Sequence, residues 1–200
     1  MVSLKPAGPG GTGETIRHHM GQVPEMIWGK DLGQSANWSV YHKDLNGGSS
    51  PEDYRLVLND LAAEVDTANP WNDTAPTATH FTVGTWFNNN ESLFILFASV
   101  TGVSKVGSYS GQSAGQSQTI TTGFQPRFIL VKGRSYSSNW EIYDTVRGWG
   151  SGEDKRLELN NNQPQAQTQD VGDPTSTGFT VNGGKSISQS GESYIYYAHA

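Results

Sequence analysis

The chain contains no cysteine. Disulfides, thiolate nucleophiles and cysteine-ligated zinc are thereby excluded. No basic run exceeds two residues and the formal net charge is −6, which argues against a nucleic-acid footprint. No apolar stretch approaches the roughly 18 residues that span a bilayer. The opening MVSLKPAGPGGTGE lacks the apolar segment of a signal peptide. These absences predict a soluble protein, made in the cytoplasm, without membrane insertion, that leaves a cell only by lysis or a leaderless route. Long Ala/Leu/Glu/Lys stretches are also missing, which counts against helices.

What is present points to β structure. Hydrophobic residues make up 34%, charged residues 16%, and there are 24 glycines. Trp, Tyr and Phe supply 10% as large core anchors, enough to separate the chain from disordered polymers. Gly, Ser, Thr and Asn are the residues of turns between short strands. The length suits one large all-β domain or two of about 100 residues each.

A duplication organises the chain into two copies. Val23–His42 and Gln125–Asp144 align without a gap: Pro24, Ile27, Lys30, Asn37, Trp38 and Tyr41 recur 102 residues later as Pro126, Ile129, Lys132, Asn139, Trp140 and Tyr143. Self-similarity at a fixed period marks a repeated structural unit. Ser50–Asn59 matches Ser151–Asn160 at seven of ten positions. This overrules a helix start at Ser50-Pro51-Glu52-Asp53, because Leu157 and Leu159 alternate with charge as a strand does. We therefore expect a strand over 54–59 and at most a helical turn over Asp60–Val65. Phe81–Val83 matches Phe179–Val181, and Leu93–Val100 matches Ser193–Ala200. The expected layout is an extended arm or linker at 1–14, β repeat 1 at 15–100, a Gly/Ser-rich seam at 101–121 and β repeat 2 at 122–200. Each repeat is expected to be an antiparallel sandwich or jelly-roll-like module of about 80–100 residues, either with its own core or packed as one pseudo-symmetric unit.

Several segments together resemble a β-rich repeat domain of tailed-phage virion proteins, common in marine and cyanobacterial phages. They are Gly102–Tyr109, Thr122–Lys132, Asn139–Gly148, Leu157–Asn160, Gly178-Phe179 and Tyr194–Ala198. Gly21–Ile27, Asn37–His42, Pro76-Thr77 and Phe94–Ala98 form a more degenerate first copy, in which Trp28-Gly29 replace Leu130-Val131. The resemblance implies a virion setting and a non-enzymatic structural role, foremost in a tail-fibre or receptor-binding appendage that attaches to the host. A capsid or tail decoration protein and, remotely, a surface-polysaccharide depolymerase are the alternatives. It implies other virion proteins as partners, homo-oligomers and a host surface glycan. It supplies no catalytic or binding residues.

Motifs that mimic chemistry are weak here. Gly8, Gly10 and Gly13 have dinucleotide-loop spacing but lack the preceding strand and following helix. Gly111-Gln-Ser113-Ala-Gly115 has the serine-hydrolase elbow pattern, yet lies in a Gly/Ser/Gln stretch where no helix follows. His18 and His19 point to opposite faces of any strand, and His42, His80 and His199 are isolated. The pairs Glu52/Asp53 and Glu153/Asp154 sit within single turns, not across a glycosidic bond. Asp170 and Asp173 form a polar turn without a calcium-loop pattern. No cofactor, metal or catalytic residue is expected. Trp38, Tyr41, Trp140 and Tyr143 are expected core anchors. Trp71, Trp86 and Trp149 lack matching partners and are candidates for contact with sugar or protein, or for ordinary packing.

Overall fold

The structure, a computed structural model, describes residues 1–8 and 11–200, without the side chain of Thr168. It is all-β and divides into two compact units: Met1–Asn59 with Glu64–Ala98, and Asp60–Ala63 with Ser99–Ala200. Unit 1 holds β1 (Val2–Lys5), β2 (Glu14–Arg17), β3 (Met26–Asp31), β4 (Ser39–His42), β5 (Tyr54–Val57), β6 (Val65–Asp66), β7 (His80–Val83) and β8 (Ser92–Phe97). Unit 2 holds β9 (Ser104–Ser110), β10 (Ser117–Thr121), β11 (Phe128–Gly133), β12 (Trp140–Asp144), β13 (Asp154–Glu158), β14 (Ala166–Gln169), β15 (Pro174–Thr175), β16 (Gly178–Asn182) and β17 (Ser193–His199). Among the described residues, helical structure is confined to short 3₁₀ turns, and no helix is long and apolar enough to cross a membrane.

The two units repeat one antiparallel topology. The large sheet of unit 1 runs β1-β8-β3-β4-β5-β6, and that of unit 2 runs β9-β17-β11-β12-β13-β14. Registers coincide too: Ile27 opposes Tyr41 and Leu96, as Ile129 opposes Tyr143 and Ala198. The small sheet is β2-β7 in unit 1 and β10-β16-β15 in unit 2. Each core lies between the large and small sheets. In unit 1, Ile27, Tyr41, Phe94 and Leu96 meet Ile16, Phe81 and Val83. In unit 2, Ile129, Tyr143 and Tyr196 meet Ile120, Phe179 and Val181. Alternation creates these faces. In β8 the residues Ser92, Phe94 and Leu96 turn inward while Leu93, Ile95 and Phe97 are half-buried, as period-2 side chains require.

This topology corrects the expected boundaries. Val2–Lys5 is no linker arm: it pairs with Leu93–Ile95 and Ser92 of β8. Ser104–Ser110, placed in the seam, pairs along the whole of β17. Backbone hydrogen-bonding groups seek partners whatever the local composition, so both segments became edge strands. The repeats thus begin earlier than their best-matching residues suggest.

The strand expected at 54–59 is present as Tyr54–Val57, and Pro51–Asp53 is a single 3₁₀ turn. Ser50 is left-handed there and its side chain caps nothing, so the helix-start pattern lacks its decisive bond. Asp60–Val65 has no helical turn. Instead the Leu61 carbonyl accepts from Lys132 Nζ at 2.9 Å and from the Ser138 amide at 2.9 Å.

Candidate functional site

The duplicated lysine and asparagine build a brace in both units. Lys30 Nζ donates to the Ala36 carbonyl, and Lys132 Nζ donates to that of Ser138 at 2.8 Å. Asn59 Oδ1 accepts from the Trp38 amide at 2.9 Å while its Nδ2 donates to Asn37 Oδ1. Asn160 does the same for Trp140 at 2.8 Å and for Asn139. The polar residues that recur are therefore the ones that fix the β3–β4 and β11–β12 turns, while Ile27, Tyr41 and their counterparts recur in the cores.

The anchors divide. Tyr41, Tyr143 and Trp140 are buried as expected. Trp140 is 1% exposed, opposite Lys132 in the ladder. Trp38 is only partly buried, because β4 begins one residue later than β12 does. Trp71 and Trp149, which were candidates for surface contact, are core residues of units 1 and 2. Trp71 lies 6.2 Å from the Tyr41 ring and 6.0 Å from that of Phe87. Trp149 donates its indole N–H to the Gly172 carbonyl at 2.7 Å. Neither tryptophan reaches solvent, so neither can stack on a ligand.

Trp86 is different. It is half-buried, and the Arg55 guanidinium lies 4.0 Å from its ring centroid, within cation–π range. Both line a cleft of about 340 Å³ in unit 1 whose other walls include Asp31, Gln34, Asn37 and Ser39. Its size falls at the low end of small-molecule sites. A larger hollow of about 510 Å³ is lined mainly by Pro6, Ala7, Gly8, Gly11 and Gly13. It offers little to recognise a ligand.

Asp31 orders one wall. It accepts from the Gly33 amide at 2.8 Å, Gln34 Nε2 at 2.7 Å and Asn90 Nδ2 at 3.0 Å. Burial pushes its carboxyl up, but those hydrogen bonds and the nearby Lys30 prevail and hold it below the usual carboxylate range. Gly29 serves the floor. A Cβ there would fall 2.8 Å from the Phe87 ring and 2.9 Å from that of Phe94, so Gly29 admits Phe87 where unit 2 has Val131 in the strand.

In unit 2 the equivalent turn carries a larger side chain, and a recess of about 310 Å³ opens instead beside Arg156, Glu158, Gln163 and Ala166. Tyr136 stands where Gln34 stands in unit 1 and lies against Gly133, where a Cβ would be 2.3 Å from the ring. Its hydroxyl reaches the Ser186 carbonyl at 3.1 Å and the Tyr194 hydroxyl at 2.9 Å. Glu141, at the register position of Ser39, accepts from the Tyr143 hydroxyl and from Ser186 Oγ at 2.8 Å. Arg156, the counterpart of Arg55, bridges Glu141 at 3.5 Å and Glu158 at 3.0 Å. Burial raises the Glu141 carboxyl above its ordinary value despite these partners.

The remaining motifs do not assemble chemistry. Ser113 donates to Ser190 Oγ at 3.1 Å on an exposed turn. Gly10, the middle glycine of the dinucleotide-like triplet, lies outside the described residues. Asp154 accepts from the Gly150 and Val171 amides at 3.0 and 2.8 Å, a turn-holding role. His18 is buried against the Thr77 carbonyl at 3.1 Å. Among the described residues, no three His, Asp or Glu side chains are grouped to hold a metal ion.

A family model described as a domain of unknown function, DUF7483, matches residues 4–200. The chain belongs to this family. The match runs across both units. No curated protein and no solved structure matches the chain.

Cleft residues were legible in part. Trp86 stood out as an unmatched aromatic. Arg55, Gln34 and Ser39 were overlooked, although the alignments held part of the signal: Gln34 and Ser39 stand where the copies diverge to Tyr136 and Glu141, and Arg55 recurs as Arg156.

Proposed function

We propose that this DUF7483 protein is a non-enzymatic structural component of a tailed-phage virion, part of an oligomeric tail-fibre or receptor-binding appendage that attaches the particle to its host. The motif string Thr122–Lys132, Asn139–Gly148 and Tyr194–Ala198 supports the virion setting through its resemblance to phage repeat domains. One observation carries the attachment role: of two units with one topology, unit 2 fills the place beside its β11–β12 turn with Tyr136, while unit 1 keeps there a cleft walled by Trp86 and Arg55. A purely architectural repeat gains stability by filling such a space. Weak sites of this size serve attachment when many copies act together, because effective concentration multiplies their affinity.

Labelling of the protein on intact particles tests the placement. Signal at tail tips is expected; signal spread evenly over the heads would replace the attachment role with that of a decoration protein whose partners are other virion proteins. Incubation with host envelope polysaccharide should release no sugar, and release would make the protein a depolymerase.

A further inference from the structure

Unit 1 buries an amine among poorly matched neighbours. Lys5, at the end of β1, is 1% exposed. An ammonium is costly to bury unless opposite charge and aligned hydrogen bonds surround it. Lys5 Nζ donates to the Asn88 carbonyl at 3.1 Å and the Pro6 carbonyl at 3.4 Å, and lies 3.4 Å from Glu14 Oε2. The last contact is an ion pair without hydrogen-bond alignment, because Glu14 Oε2 is buried and accepts no hydrogen bond. Asn88 Oδ1 is buried without a partner as well, a second cost at the same place. The three residues come from β1, from β2 and from the end of the 3₁₀ turn Thr85–Phe87.

Unit 2 shows that the fold does not require an amine here. Lys5 opposes Ser92 as Tyr109 opposes Tyr194, and Glu14 opposes Val83 as Gln118 opposes Val181. There the Tyr109 hydroxyl donates to the Ile187 carbonyl at 2.8 Å, with no charge to bury. The lysine and the glutamate belong to unit 1 alone.

We propose that Lys5 and Asn88 join in an intramolecular isopeptide bond, formed by the folded chain itself with Glu14 as the proton carrier. Glu14 takes a proton from the Lys5 ammonium, which frees the nitrogen lone pair. Nζ attacks Cγ of Asn88 and the Nζ–Cγ bond forms. Glu14 hands its proton to Nδ2, the Cγ–Nδ2 bond breaks and ammonia leaves. The second proton lost from Nζ departs on that ammonia. An ammonium and a primary amide thus become a secondary amide and an ammonium ion. Nothing is oxidised or reduced, and no co-reactant is needed. Asn88 Cγ hangs from the same Cα as the carbonyl that already holds Nζ, so a side-chain rotation brings the two atoms together, and the fold supplies the proximity. Glu14 is one-third exposed, which gives ammonia a way to water. The product carries no buried charge. It also spans 83 positions and closes that loop in the unfolded chain. Strand β1 has four residues and a single neighbour in its sheet, so it is the kind of strand that opens at least cost, and the bond fastens it. The inference stands independently of the attachment reading.

Mass spectrometry of the purified full chain, denatured after prolonged incubation at neutral pH, is the test. The chain is expected to be lighter than its sequence mass by one ammonia. A tryptic digest should contain one branched peptide that joins residues 1–17 to residues 56–105, with the link placed at Lys5 and Asn88 by fragmentation. Asn88→Ala, which keeps the backbone carbonyl that holds Lys5, should have its full mass, and so should Lys5→Met. Glu14→Gln should fold, as a melting curve checks, and stay unlinked. Should Lys5→Met not fold, the unmodified chain and Asn88→Ala decide the matter. A full-mass unmodified chain would overturn the proposal. So would an ammonia loss that persists in Asn88→Ala, or one that maps to Asn46 or Asn182, the asparagines followed by glycine, whose side chains can close on the next backbone nitrogen instead. Linking of folded Glu14→Gln at the unmodified rate would overturn it too, by removing the proton carrier.

Discussion

The two units share a topology and a register, yet they open in different places: unit 1 beside the β3–β4 turn, and unit 2, which fills that place with Tyr136, beside Arg156 and Glu158. Unit 2 packs Tyr136, Tyr194 and Tyr109 into a connected aromatic and hydroxyl network and answers Arg156 with two carboxylates. Unit 1 keeps the backbone brace of Lys30, Asn37 and Asn59 but opens the space beside it. The brace and the plug are therefore separable parts of the design. Duplicated units diverge where packing leaves freedom, because the turn-fixing bonds are required in every copy and the plug is not.

The sharpest way to break this comparison is at the tryptophans. Trp140→Ala should cost about 3–5 kcal/mol, the usual penalty for deleting a fully buried indole. Trp38→Ala, at the equivalent but only partly buried position, should cost less, about 1–2 kcal/mol, because less apolar surface is returned to water. Equal shifts in chemical denaturation midpoints would erase the distinction drawn between the two strands.

Alkaline pH should act mainly on unit 2. Burial raises Tyr109, Tyr143 and Tyr194 above the ordinary phenol value, with Glu141 adding to Tyr143; in unit 1, burial raises Tyr41. A tyrosine whose folded pKa is raised contributes stability below the unfolded value, about 10, and loses it as pH climbs beyond. Lys132 works oppositely. Burial lowers it to about 8, so between that pH and the ordinary lysine value the unfolded chain binds more protons and stability rises with pH. Unit 2 should accordingly be most resistant near pH 9–10 (about where the two windows meet) and fall steeply above it. Hydrogen exchange followed by mass spectrometry across pH 7–11 would reveal this, and Lys132→Met should flatten the rising limb. Identical alkaline loss in both units would contradict it.

Tyr136→Gln, which gives unit 2 the residue of unit 1, should destabilise by about 1–3 kcal/mol through lost packing and unpaired hydroxyl partners. A neutral result would mean that the plug is idle and that the contrast between the filled turn of unit 2 and the open one of unit 1 carries no energetic meaning. The smallest effects belong to the shared brace. Asn59→Ala and Asn160→Ala should each cost about 1 kcal/mol and differ little from one another. A large difference in thermal melts would show that the brace has diverged as well.

Sequence alone determined the β class, the duplication and the identity of the repeated brace. Spacing exposes local bonds: Lys30 to Ala36 and Lys132 to Ser138 span six residues each, and strand alternation is written along the chain. The duplication also carried the strand at Tyr54–Val57 against a helix-start pattern. Tertiary structure alone decided the unit boundaries, because an edge strand such as Val2–Lys5 needs only a partner for its backbone and no distinctive composition. It alone decided which tryptophans are core, since Trp71 and Trp149 lie outside strands and the residues that enclose them are distant in the chain. The cleft was its decision too. A cavity is a property of what fails to fill a space, and only the three-dimensional placement of Tyr136 and Glu141 in one unit shows what the other has left out.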